Sequence, residues 1–157
     1  VVIAIDFDDS IVSAVRSYED LSTPLIFKVN AKYGLLSLKK AGHTLILWSA
    51  RASPVLLEDP SLDPLVKWGA KKLDLERWEK MVSVHRARYQ QMLDFVAREL
   101  PSVFDAIDDG HAGKLPGVDM FVDDKALRLG YGTGGFGWAA IAQVFGLPYY
   151  PPLEAAG

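Results

Sequence analysis

Apolar residues fall into two patterns along this chain. Short, nearly unbroken apolar runs occur at VVIAI (1–5), LILW (45–48) and MFV (120–122), with a looser one at VFDAI (103–107). Runs of this length suit strands buried on both faces of a parallel sheet. Between them, apolar residues recur at spacings of three and four, as in amphipathic helices. The pattern predicts strands at about 1–6, 44–48, 103–107 and 119–122. It predicts a helix at about 24–41, opened by Ser22-Thr23-Pro24 and ended by Gly42. Two more helices are expected, at about 65–81 and 84–100, the second ending before Pro101. Residues 7–23 read as turns or a short hairpin. Residues 52–64, with Pro54, Pro60 and Pro64, read as an irregular excursion. A Gly-rich loop at 130–137, a short helix to Phe145 and an irregular tail close the chain. Strands alternating with helices indicate an α/β fold with a mainly parallel sheet.

Composition narrows the function classes. The chain has 157 residues, enough for one domain (1–157) with a substantial core. A net charge of −3 argues against binding nucleic acid over the whole surface. The absence of cysteine excludes disulfides, thiolate zinc sites and thiol catalysis, and fits a reducing, cytoplasmic setting. No apolar run is long enough to span a membrane, and the first is too short for a signal peptide. His43, His85 and His111 lack metal-ligand spacing and receive no role. The GTGGFG stretch (132–137) does not follow a strand directly, so a dinucleotide site is not assigned there.

The candidate chemistry sits at strand ends, where open α/β sheets bind ligands. Strand one runs into Asp6-Phe7-Asp8-Asp9-Ser10, strand two into Ser49-Ala50-Arg51, and strand four into Asp123-Asp124. Lys114 precedes strand four in GKLPGVDMFVDD. Bare carboxylates at such ends are costly to bury unless they hold a cation or do chemistry. Asp6 and Asp123, at neighbouring strand ends, are suited to Mg²⁺, which takes one or two carboxylates and several waters. Asp108 and Asp109 end strand three and read as a solvated turn.

In this order and spacing, the four motifs resemble those of the haloacid dehalogenase-like (HAD) hydrolase superfamily, in particular small bacterial phosphatase-like members with a minimal cap. The resemblance implies a three-layer Rossmann-like fold and a Mg²⁺-dependent phosphomonoesterase working through an aspartyl-phosphate. Asp6 is then the nucleophile and Asp8 the general acid and base. Lys114 neutralises charge on Asp6 and the phosphoryl group. Ser49 and the Ala50 N–H hold phosphoryl oxygens, and Arg51 binds substrate or forms a structural salt bridge. The metal set is Asp6, Asp8 through its backbone carbonyl, Asp123, and Asp124 through water. Asp9 stands where many family members have glycine. Lys114 lies five residues before Asp119, further than usual, with Lys125 as its alternative.

An inserted helical segment at about 52–87 departs from the usual cap positions. Within 67–88 it carries Lys67, Lys71, Lys72, Arg77, Lys80, Arg86 and Arg88, interleaved with Trp68 and Trp78. It reads as a solvated amphipathic stretch, or as a surface for an anionic substrate or nucleic acid. Two other functions remain open: a non-catalytic binding or regulatory module on the same fold, and a phosphatase of nucleotides or nucleic-acid ends.

Overall fold

Four parallel strands form the centre of the molecule in the computed structural model, which describes residues 1–13, 17–112, 115–123, 141 and 145–146. They are β1 (Val2–Ile5), β2 (Thr44–Leu47), β3 (Ala106–Ile107) and β4 (Met120–Val122), in the order β3-β2-β1-β4. Ile5 lies opposite Leu47 on one side and Val122 on the other. The fold is therefore α/β with an all-parallel sheet. Ile3, Ala4 and Ile5 are all fully buried. Successive strand residues face opposite ways, so both faces of β1 are covered. The core adds Phe7, Leu35, Leu38, Met92 and Phe95. Among the described residues no helix is long and apolar enough to cross a membrane.

Helix α1 spans Ala31–Lys40, seven residues shorter at its start than the pattern predicts. The difference comes from non-local pairing. The Ser13 N–H donates to Ile26 O, and the Lys28 N–H to Ile11 O, which holds 26–28 extended against 11–13. The Ser22-Thr23 signal belongs instead to a turn around the Asp20 carboxylate, which accepts from both backbone N–H groups and both hydroxyls. Those bonds hold the Asp20 pKa well below the usual carboxylate range.

The stretch expected to be irregular is a string of helical turns. A 3₁₀ turn at Ala50–Ala52 is followed by α2 (Pro54–Leu57), a 3₁₀ turn at Pro60–Leu62 and α3 (Pro64–Lys67). Each proline opens a turn, where its missing N–H is not needed and its fixed φ is already helical. Helix α4 is one unbroken element, Leu75–Glu99, rather than two. No glycine or proline interrupts it, and the Asp74 side chain caps it by accepting the Arg77 N–H at 2.9 Å. The expected segment boundary at 87 thus falls inside a helix. The Gly-rich loop (130–137) lies outside the described residues, as does most of the short helix expected after it.

Candidate functional site

The order β3-β2-β1-β4 places a topological switch between β1 and β4. The chain winds outward from β1 through β2 to β3, and β4 joins on the other side. Asp6 and Asp123 are the first residues past these two strands, and the Asp6 N–H donates to Val122 O at 2.8 Å. Both are half-buried. The crevice outside such a switch is where open α/β sheets bind ligands. Among the described residues no three His, Asp or Glu side chains group as a metal site. Two carboxylates at one crevice nonetheless fit Mg²⁺, which completes its octahedron with water and substrate oxygens.

The loop after β1 is a tight turn built on Phe7. Its ring is fully buried and meets Phe95 edge-on at 5.8 Å. Phe7 O accepts the N–H groups of Ile11 and Val12. Asp9 sits at φ 61°, the left-handed region glycine prefers. Asp is among the residues that tolerate it. Lys28 fixes it further, donating to Asp9 O at 2.6 Å and to its carboxylate at 3.1 Å. The carboxylate is turned to a lysine on the segment that pairs with 11–13.

Asp8 is held by two buried arginines. Arg51 donates from Nε to Oδ2 at 2.7 Å and from Nη2 to Oδ1 at 2.6 Å, a two-pronged fork. Its guanidinium lies 5.0 Å from the Phe7 ring centroid, and its Nη1 donates to Arg88 O at 2.8 Å. Arg88, from the middle of α4, makes a longer contact of 3.5 Å from Nη2 to Asp8 Oδ1. Both arginines are only 4 % exposed. The Arg88 Nε is buried with no hydrogen-bond partner among the described residues. Burial, and then the neighbouring Arg51 charge, pull the Arg88 pKa below its ordinary value, with Asp8 opposing.

Ser49 is buried at the end of β2, and its Oγ accepts the Arg51 N–H at 3.2 Å. It caps the 3₁₀ turn and aims Arg51 inward. Ala50 is the first residue of that turn, where the backbone N–H has no partner within the helix. The Asp108 N–H donates to Leu47 O, which places the residue at the end of β3. Its side chain is buried rather than solvated. Burial raises its pKa, and its Oδ2 has no partner among the described residues. Nearby, Gly110 (φ 76°) has no room for a side chain, because a Cβ there would lie 2.7 Å from Ala52 O. Lys114, Asp124 and Lys125 lie outside the described residues.

Sequence reasoning passed over Tyr18, His85 and the inward role of Arg88. The Arg88 guanidinium lies 4.3 Å from the Tyr18 ring centroid, and the Tyr18 hydroxyl is 2.5 Å from His85 Nδ1. Burial, then Arg88, lower the His85 pKa, which favours the neutral ring. Burial raises the Tyr18 pKa, opposed by Arg88. A signal was present in the spacing. His85 and Arg88 continue the inward stripe of Met81, Met92, Phe95 and Val96 at steps of three and four. The rest of the basic segment faces outward: Lys71 pairs with Asp63 and Lys80 with Glu76. Trp78 donates to Val55 O, whereas Trp68 is 77 % exposed.

Comparison of the chain with protein-family models, curated proteins and solved structures gave no match.

Proposed function

We propose that the chain is a Mg²⁺-dependent phosphohydrolase of phosphomonoesters, on a three-layer Rossmann-like fold of the HAD kind. The observation that carries this reading is the pair Asp6 and Asp123 at the switch point between β1 and β4. The motif resemblance, which includes the same two residues, agrees with it. Asp6, Asp123 and the backbone carbonyl of Asp8 are the groups that would hold the cation. Magnesium, when bound, supplies neutralising charge for the phosphoryl oxygens.

The chain's own groups divide the remaining work. An Asp6 oxygen forms a bond to phosphorus as the ester P–O bond breaks, and the departing oxygen takes a proton. Water then attacks phosphorus, releasing phosphate and restoring the carboxylate. Asp8 is the group proposed to move these protons. Among the described residues its Oδ2 accepts one hydrogen bond, from Arg51 Nε, which leaves a lone pair for a proton. The Arg51 fork fixes its orientation. Ser49 uses its oxygen as an acceptor in the cap, so its own O–H remains to donate to a phosphoryl oxygen. The Ala50 N–H is the second donor. Lys114 and Asp124 keep their proposed roles as the neutralising cation and the water-mediated ligand.

A generic aryl phosphate tests the reading. Turnover is expected with Mg²⁺ and lost with a chelator. Asp6→Asn removes it, because an amide does not attack phosphorus. Full activity in that variant overturns the mechanism.

A further inference from the structure

Two exposed apolar strips lie at the two ends of one cleft, which runs along the first half of α4. The first strip is residues 62–73. It exposes Leu62, Leu65, Trp68 and Leu73, with Trp68 77 % exposed. Leu65 and Trp68 are three residues apart on one turn and share a side. The N–H groups of Ala70 and Lys71 donate back to Leu65 O, which folds the lysines that follow onto the same turn. The second strip is residues 17–27, which expose Tyr18, Leu21 and Ile26. Tyr18 is fixed from two sides, by its hydroxyl on His85 and by the Arg88 guanidinium on its ring. Lys72 and Leu73 line the cleft just before the first turn of α4, whereas Tyr18 lines it at His85, ten residues after Leu75. The strips are therefore about 15 Å apart along the helix.

The two strips have opposite charge. Residues 62–73 carry Lys67, Lys71 and Lys72 against Asp63 alone, and residues 17–27 carry Glu19 and Asp20 with no Lys or Arg. Asp63 is taken up by Lys71. Lys72 and Glu19 form no ion pair among the described residues. Helix α4 holds the strips apart within one molecule, but each can meet its opposite on a second copy. A two-fold axis crossing the cleft at right angles to α4 turns the helix end for end. It lays residues 62–73 of each copy on 17–27 of the other, and so closes both contacts at once. An axis along α4 would instead set lysines against lysines and acids against acids, which like charge disfavours. A polyanion would be drawn to one strip and repelled by the other. A second copy satisfies both, and covers apolar surface that monomers rarely leave open.

We infer that this face is the interface of a symmetric dimer of the chain. Leu65 and Trp68 of one copy pack against Tyr18 and Leu21 of the other, and Lys72 faces Glu19 at both contacts. The two α4 helices then run antiparallel across the interface. The dimer uses none of the proposed reacting groups, so it stands whether or not the chain is a phosphohydrolase.

Sedimentation velocity of the chain over a range of concentrations tests the dimer. The parent is expected to sediment as a dimer, and Trp68→Glu to raise the dimer dissociation constant at least about tenfold. Lys72→Glu and Glu19→Lys, each alone, put like charges at both contacts and are expected to weaken the dimer. Mixed in equal amounts, the two single variants are expected to re-form it as a heterodimer, because each contact then joins opposite charges. All three altered side chains are exposed, and circular dichroism spectra matching the parent's confirm that the variants fold. A parent that stays monomeric overturns the inference. So does a dimer indifferent to Trp68→Glu, or a pair of charge variants that weaken the dimer singly and fail to recombine. A monomeric parent that co-sediments with an oligonucleotide or with anionic vesicles assigns the basic strip to a polyanion, and the dimer falls.

Discussion

The clamp around Asp8 and the ion pairs within residues 52–87 use the same kinds of charged group in opposite settings. In the clamp, Arg51 and Arg88 are buried and share one carboxylate that is one-third exposed. On α4, Lys80 and Glu76 meet one helical turn apart with side chains 70 % and 81 % exposed. Water screens the second pair and leaves it little to contribute. In the first, the Arg51 guanidinium has exchanged its hydration for fixed partners, and removing the shared carboxylate leaves uncompensated buried charge. The contrast separates charge that determines structure from charge left over for ligands.

The largest effect is expected at Arg51. Arg51→Met removes the fork on Asp8 and the bond to Arg88 O, and should cost about 3 kcal/mol, the low end for a broken buried pair because Asp8 is partly exposed. In a thermal melt this corresponds to a fall of about 10 °C for a domain of this size. Adding Asp8→Asn leaves the buried Arg88 without its carboxylate, so the double variant should melt below Arg51→Met alone. A double variant that melts no lower would show that the clamp is held by packing rather than by charge.

Asp108 gives an intermediate effect that depends on pH. Burial disfavours its ionised form and raises its folded-state pKa. The stability linked to the protonated form is therefore complete below the normal carboxylate pKa and lost as pH rises through the folded-state value. Asp108→Asn should melt a few degrees above the parent at pH 7, and the gap should close as pH falls below the normal carboxylate range. A gap of constant size across pH would assign the effect to hydrogen bonding instead. The smallest effect is expected at Lys80: Lys80→Ala should leave the thermal midpoint unchanged in low and high salt alike.

The sequence disclosed what depends on neighbours in the chain. Strands β1, β2 and β4 lie within one or two residues of their predicted limits, because an unbroken apolar run bounded by polar residues admits few other burial patterns. Gly42 follows the end of α1, with φ 85°. What the sequence concealed depends on distant partners. The early start predicted for α1 fails because residues 26–28 pair with 11–13. The prolines after Ala52 mislead because proline stops a helix from within and starts one at its first position. At the site, strand-end acids were legible one strand at a time. The inward turn of Arg88 was hidden because a basic residue within a basic run reads as solvated, although its spacing matched the apolar stripe.

Helix α4 has a further consequence, one of length. Arg77, in the first turn, and Arg88, against Asp8, are eleven residues apart on one continuous helix. That fixes their separation at about 16 Å along the axis. Side chains can shift at either end, but the interval is set by backbone hydrogen bonds and stretches little. The helix is thus a ruler, and inserting one residue between these arginines would turn one about 100° relative to the other, away from its partners.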